Sequence, residues 1–435
     1  MDKKNRYARL LLVAFAVFVG IIFLAGAGGY IAFIKYPSIG AQGADSLRKV
    51  FGDEAVARLE SVVFQAQDTM RRLKYRAGEA PQAPWSAATP ETCPAQGTTA
   101  ADAAIALQTV DKFSQLQSRT TQPAPIQTTG TLSKSVVTSG PAETPVPPAS
   151  AGVPVCPPPV VAFGDMKGEG VWSPYLLGSI PNQVAACRTF FQPDPERPYA
   201  IAAVVAFNMS AVDLHFVLGT QEPASSVPVD RPGIISPADL QPGILLAVFN
   251  GGFKAHHGHY GVMADGVVVI PPKDGFGTIA LFKDGRLRIG AWGSDITPSP
   301  DILFWRQNGP LLVQGGQVNP RTYNQSIQDW GSTVDGSFPV ATWRSAIGMS
   351  ADGKTMYYAA GPSLTLQTLA QALITAGASQ AVQLDINNYW VYFGQVVFSD
   401  GKPKTIPLFP DWKDNPDRYL QTYTRDFFYV TAKHN

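Results

Sequence analysis

Residues Thr365–Asp385 read TLQTLAQALITAGASQAVQLD. The apolar residues of LQTLAQALITA recur at helical spacing. Ser363 or Thr365 can cap the N-terminus of this helix, and Gly377 stops it. A strand follows over Ala381–Leu384 and ends at Asp385. Around this helix the other patterned segments read as strands: Tyr199–Asn208, Leu214–Gly219, Ile244–Phe249, Gly266–Ile270, Thr278–Phe282, Leu287–Ile289 and Thr355–Ala359. Lys283-Asp284-Gly285-Arg286 and Ala351-Asp352-Gly353-Lys354 read as hairpin turns. Many strands with one or two helices predict an α+β domain built on a mostly antiparallel, mixed sheet. The reading places it at residues 160–435, near the upper size for a single core.

What precedes this domain is of a different kind. Leu10–Ile34 carries no charge, and a helix of about 20 residues spans a bilayer core. Lys3, Lys4, Arg6 and Arg9 stand before it and only Lys35 closely after, which predicts residues 1–9 in the cytoplasm and the bulk outside, periplasmic or extracellular. A cleaved signal peptide is the competing reading, with an apolar region of about 7–15 residues. Residues 45–77 read as one helix, either docked as a stalk on its own domain or forming a homodimer contact. Residues 78–159 are rich in Ala, Pro, Thr, Ser and Gln. They read as a disordered spacer, too poor in apolar surface to offset its ordering entropy. Thirty-four Lys+Arg against 33 Asp+Glu gives no basic face for nucleic acid. Of three cysteines, Cys156 and Cys187 are the expected pair, because Cys93 lies in the spacer.

Four polar constellations interrupt the apolar pattern. Asn250-Gly251-Gly252 follows a strand; it is a tight turn or a place where a ligand approaches backbone. Asn308-Gly309-Pro310 turns into Leu311-Leu312. Arg344 enters the apolar SAIGM run, where its planar fork suits a carboxylate or phosphate or forms a structural salt bridge. Asp385 ends its strand, as a reactive group or a cap, and Asn387 and Asn388 extend the polar patch.

In order and spacing, Asn250-Gly251-Gly252-Phe253, Asn308-Gly309-Pro310-Leu311-Leu312, Arg344-Ser345-Ala346-Ile347-Gly348 and Leu384-Asp385 together resemble the phosphodiester glycosidase family. The resemblance covers essentially the whole folded part. It implies hydrolysis of a sugar joined through its anomeric carbon to a phosphodiester, without a cofactor. Asp385 would then be the carboxylate at the anomeric carbon, Arg344 the cation on the phosphate, and Asn250 a third catalytic group. Gly251, Gly252, Asn308, Asn387 and Asn388 would bind substrate. The sequence departs from the family's L-D-G-G-G-S at one place, Leu384-Asp385-Ile386-Asn387-Asn388-Tyr389. There, backbone donors are closed off or replaced by side chains, and either the substrate differs or activity is lost.

Three of the five histidines fall in Ala255–Tyr260, AHHGHY. In an extended loop neighbours point to opposite sides, so at most His257 and His259 share a face. That spacing fits no common zinc site, and the reading is no metal, with His257 and His259 flanking the substrate cleft. Two functions stay open: a membrane-anchored hydrolase of an envelope or exported glycan, and a non-catalytic glycan- or partner-binding protein on the same fold.

Overall fold

The computed structural model describes residues 37–85, 156–178, 183–324, 326–331, 339–412 and 414–433. The apolar stretch 10–34 and most of the spacer lie outside these residues. Among the described residues no helix is long and apolar enough to cross a membrane.

The largest sheet has eight strands in the order β1 (Ser173–Leu177), β2 (Val184–Phe191), β3 (Ala202–Asn208), β14 (Thr355–Leu364), β13 (Thr342–Met349), β15 (Gln380–Ile386), β11 (Leu311–Gln314) and β12 (Gln317–Val318). A second sheet runs β17 (Lys402–Pro407), β16 (Phe393–Ser399), β5 (Leu245–Asn250), β18 (Phe427–Ala432) and β4 (Val212–Val217). A third runs β7 (Val267–Ile270), β6 (Val262–Ala264), β10 (Ile302–Gln307), β8 (Gly277–Phe282) and β9 (Leu287–Ala291). The ladders joining these strands are antiparallel. With the helices below, this is the expected mostly antiparallel α+β architecture.

The eight-stranded sheet is buried on both faces, and β3 shows how. Ala203, Val205 and Phe207 point toward Phe249, Phe393 and Phe428 of the second sheet. Ala202, Val204 and Ala206 point the other way, toward the helix Leu366–Ala376. Period-two alternation therefore serves two apolar cores instead of a core and solvent. This is why β2 and β13, buried almost throughout, have no alternating signature in the sequence. The Cys156–Cys187 disulfide forms, with Cα atoms 5.8 Å apart, and fastens the start of the folded part to β2.

The helix Leu366–Ala376 follows its sequence signals closely. Thr365 is the N-cap: its hydroxyl accepts from the Thr368 N–H, and the Thr365 N–H donates to the Thr368 hydroxyl. Leu366, Leu369 and Leu373 are fully buried on the sheet, each stabilising by about 1.5–3 kcal/mol. Gly377 ends the helix at φ +112°, and a Cβ there would meet the Tyr357 hydroxyl at 2.7 Å. Gly377→Ala is expected to cost about 1–2 kcal/mol, the penalty of a left-handed L-residue, read as a lower denaturation midpoint.

Before the spacer the chain forms two helices, α1 (Pro37–Phe51) and α2 (Asp53–Arg76), where the sequence reading has one over 45–77. Gly52, at φ +82°, breaks the run. The apolar residues Leu59, Val62, Met70 and Leu73, which recur at helical spacing, are exposed. The docking face carries Val56, Ala57, Ser61, Phe64 and Asp68 instead. Asp68 holds it in register, accepting from Arg197 Nε at 2.9 Å and from the Tyr199 hydroxyl at 3.1 Å. Polar anchors set this face, so hydrophobic periodicity does not reveal it.

Candidate active site

Four strand ends from all three sheets converge: the ends of β5, β10 and β15 and the start of β18. Asp385 lies at the β15 end. There the register steps from Arg344 opposite Ile386 to Ala346 opposite Gln383, so β15 carries one extra residue beside Asp385. Such a bulge re-aims a side chain out of the ladder.

The Asp385 carboxylate is buried. Its Oδ2 lies 2.5 Å from Arg425 Nη2, and its Oδ1 accepts the Ile386 N–H at 2.9 Å. Burial pushes its carboxyl up to about 6, while Arg425 and the Ile386 N–H pull it back. Arg425 also donates to the Gly252 carbonyl at 2.8 Å and stacks 4.2 Å from the centre of the Trp390 ring. Lys254 Nζ sits 5.0 Å from the same ring.

Beneath this pair lies a second, fully buried one: Arg306 Nε to Asp426 Oδ2 at 2.8 Å. Arg306 also donates to the carbonyls of Phe253 and Gln307. Asp426 Oδ2 accepts the Gly252 N–H at 3.3 Å. A Cβ on Gly251 would meet Asp426 Oδ2 at 2.6 Å, and one on Gly252 would meet Arg306 Nη2 at 2.9 Å. The two glycines thus let the loop lie against this ion pair. The expectation that they open backbone to a ligand is revised accordingly.

Three further expected site residues prove to be framework. Asn250 gives its amide to the Gly251 carbonyl and Ser345 Oγ, and its oxygen accepts from the Tyr358 hydroxyl and the Tyr392 N–H. Asn308 accepts from the Phe253 N–H and donates to the carbonyls of Gln383 and Leu384, pinning the glycine loop to β15. Arg344 is fully buried. It donates to the carbonyls of Leu364 and Val340 and to Gln383 Oε1, and burial pushes it down to about 9. Its place as the phosphate cation is therefore corrected: no fork is turned toward the pocket, and the arginine on Asp385 is Arg425.

The loop after Asp385 makes a left-handed turn without a glycine. Asn387 adopts φ +68°, which asparagine tolerates, and its side chain accepts from the N–H groups of Tyr389 and Trp390. Its amide oxygen is thus engaged within the turn, though Asn387 still lines the pocket. Asn388 does not line it. Ile386 is buried against Phe253, Tyr260 and Val340.

The pocket over Asp385 is nearly filled, and by this chain's own helices. Arg48 of α1 and Glu60 and Phe64 of α2 line it together with Phe253, His257 and Trp390. The cavity left is about 20 Å³, room for about one water. Phe64 packs in the cluster of Phe253, Tyr260, Val340 and Ile386. Arg48 lies 2.5 Å from Glu60, and Lys254 pairs with Asp45 of α1. Burial raises the Glu60 carboxyl, with Arg48 opposing.

The histidine loop is not extended. Ala255–His257 forms a 3₁₀ turn, so His256 and His257 meet edge to face with ring centres 4.3 Å apart. His257 borders the pocket; His259 is exposed at φ +46° and does not line it.

Residues 243–385 match the sequence model of the phosphodiester glycosidase family. This match spans the glycine loop, Asn308, Arg344 and Asp385, the residues that carry the resemblance in the sequence. No curated protein matches the chain. Among solved structures, the catalytic domain of zebrafish N-acetylglucosamine-1-phosphodiester alpha-N-acetylglucosaminidase, described as auto-inhibited by its pro-peptide, is similar at 14% identity. It has a TM-score of 0.39 and covers 60% of this chain and 87% of that one. A hypothetical protein from Synechocystis is similar at 10% identity and TM-score 0.28, covering 60% of this chain and 64% of that one. A putative exported protein from Burkholderia pseudomallei follows at 12% identity and TM-score 0.26, covering 54% and 74%.

The cluster around Asp385 reaches past the matched residues, since Arg425 and Asp426 come from beyond them. Sequence reading missed both, and Arg306 with them. A lone arginine in the apolar run ILFWRQ is the same signal that singled out Arg344, and it was available for Arg306. Arg425-Asp426 stands just outside an apolar strand and gives no comparable signal.

Proposed function

We infer that this chain is a latent hydrolase of sugar-1-phosphodiesters, with Asp385 as the carboxylate at the anomeric carbon and Arg425 as the cation that receives the phosphate. The observation that carries this reading is the buried Asp385–Arg425 pair, whose Asp385 lines a pocket together with Phe253, the residue after the two glycines, and Trp390, on which Arg425 stacks. A phosphodiester leaves as a stable anion, so the site needs a cation more than a strong general acid. A carboxyl held near 6 can stabilise positive charge at the sugar or manage a proton near neutral pH. In this state the α1–α2 hairpin lies over the pocket, and substrate enters only when it moves aside.

The chain is placed outside the cytoplasm, anchored through residues 10–34 with its N-terminus inside. Its substrate class is an envelope or exported glycan. The outward apolar residues of α2, such as Leu59 and Val62, supply a surface for homodimer contact, to be checked by cysteine crosslinking at Val62. Protease added outside a sealed inner membrane should cut within residues 78–159 and release a folded fragment carrying Asp385. A chain left uncut until the membrane is opened would overturn this topology.

A binding role without turnover is favoured by a separate observation: Ile386 and the hairpin fill the space that a sugar needs. Reducing-sugar release from a panel of sugar-1-phosphodiesters separates the two. With the full-length chain carrying Phe64→Ala, release is expected, and adding Asp385→Asn should abolish it. Binding without release across the panel would leave the second reading standing.

A further inference from the structure

We propose that Asp53, His256 and His257 form a zinc-class metal site that ties the N-terminal hairpin to the body of the domain beside the Asp385 pocket. The three residues offer one ligand atom each within 4.8 Å of one another. Asp53 comes from the first turn of α2 and both histidines from the 3₁₀ turn, so a bound ion bridges the two parts. His256 Nε2 already lies 3.7 Å from Asp53 Oδ1. His257 Nε2 is buried and has no hydrogen-bond partner among the described residues, a state that costs free energy unless something fills it.

The surroundings fit a cation. Glu222 Oε1 stands 4.0 Å from His256 Nδ1, the nitrogen facing away from Asp53. Its other oxygen is fixed by the N–H groups of Ala224 and Ala255. At 4.0 Å the two are not hydrogen-bonded; closing that gap on metal binding would give a carboxylate–histidine–metal arrangement, with the far nitrogen turned to the ion.

Arg48, Lys254 and Arg425 are the nearby cations, facing five carboxylates: Asp45, Asp53, Glu60, Glu222 and, on Arg425, Asp385. Arg48 is 2.5 Å from Glu60 but 3.8 Å from Asp53, which leaves Asp53 for a metal. Two imidazoles and one carboxylate suit zinc, with water in the fourth position. The site does not rest on the reading of Asp385: a chain that binds zinc and hydrolyses nothing leaves it intact.

The test is a Zn²⁺ titration of the full-length chain, without a histidine tag and stripped by chelator, against a competing chromophoric chelator. One zinc per chain is expected. Asp53→Asn and His257→Asn should each weaken it more than about 10-fold, the lower bound even for an outer-shell change. His259→Asn, outside the cluster, should leave it unchanged. Zn²⁺ should also slow proteolysis within the hairpin, and EDTA should restore it. Equal affinity in His257→Asn, or zinc binding with no effect on hairpin proteolysis, overturns the proposal. Should the variants fail to fold, Co²⁺ added to the unmodified chain decides: the visible absorption of a four-coordinate nitrogen–oxygen site supports it, and a hexaaqua-like spectrum overturns it.

Discussion

Asp426→Ala is expected to lower the stability of the folded part by about 3–5 kcal/mol, because it leaves the fully buried Arg306 guanidinium without a counter-charge. The loss should spread, since Asp426 also accepts the Gly252 N–H and Arg306 holds the Phe253 carbonyl. Chemical denaturation followed by tryptophan fluorescence checks it. The double change Arg306→Met with Asp426→Leu should recover a good part of the deficit, because an apolar pair carries no desolvation cost. Arg58→Ala, which breaks an exposed pair with Glu54 on α2, should shift stability by less than about 1 kcal/mol. A fall no larger than that for Asp426→Ala would remove this pair from the framework of the site.

Phe64→Ala should uncover the Asp385 pocket. Truncating a buried phenylalanine costs about 3–5 kcal/mol, and here the loss falls on the contact between α2 and the Phe253–Tyr260–Ile386 cluster. At about 1.4 kcal/mol per decade, the open population rises at least a hundredfold. Amide exchange at Ile386, whose N–H is held by Asp385, should quicken accordingly, and hydrolysis should rise with it. Gln65→Ala on the exposed side of α2 is the control and should change neither. Unchanged exchange at Ile386 in Phe64→Ala would mean that the hairpin does not gate the pocket.

The contrast between Asp385 and Arg344 shows what the sequence can and cannot disclose. Asp385 stands out because a helix with clear caps feeds a short strand that stops at it, all within one local stretch. Arg344 stands out for the same local reason, a charge in an apolar run, yet its donors go to Leu364, Val340 and Gln383. Nothing local separates a charge that frames a site from one that faces it. Arg425 could not be found this way, since its meaning depends on β18 lying beside β5, where Phe427 pairs with Asn250. The strands read correctly are short runs with turns beside them, such as Thr278–Phe282 and its hairpin. Those missed, β2 above all, are buried on both faces and carry no period. The histidine loop reads as extended backbone but forms a 3₁₀ turn, so His256 meets His257; His257 borders the pocket as expected, and His259 does not.

The position of β18 in its sheet bears on when this protein can acquire its shape. Phe427–Ala432 is C-terminal to every other strand described, yet it pairs on both sides, with β5 and β4. A ribosome delivers the chain from the other end. The α1–α2 hairpin emerges first, and its seat beside Arg425 emerges last. During synthesis, therefore, β4 and β5 stand with unpaired edges, exposed to association with other chains until residue 432 has been made. The second sheet is consequently complete only once β18 has been made and seated between β4 and β5.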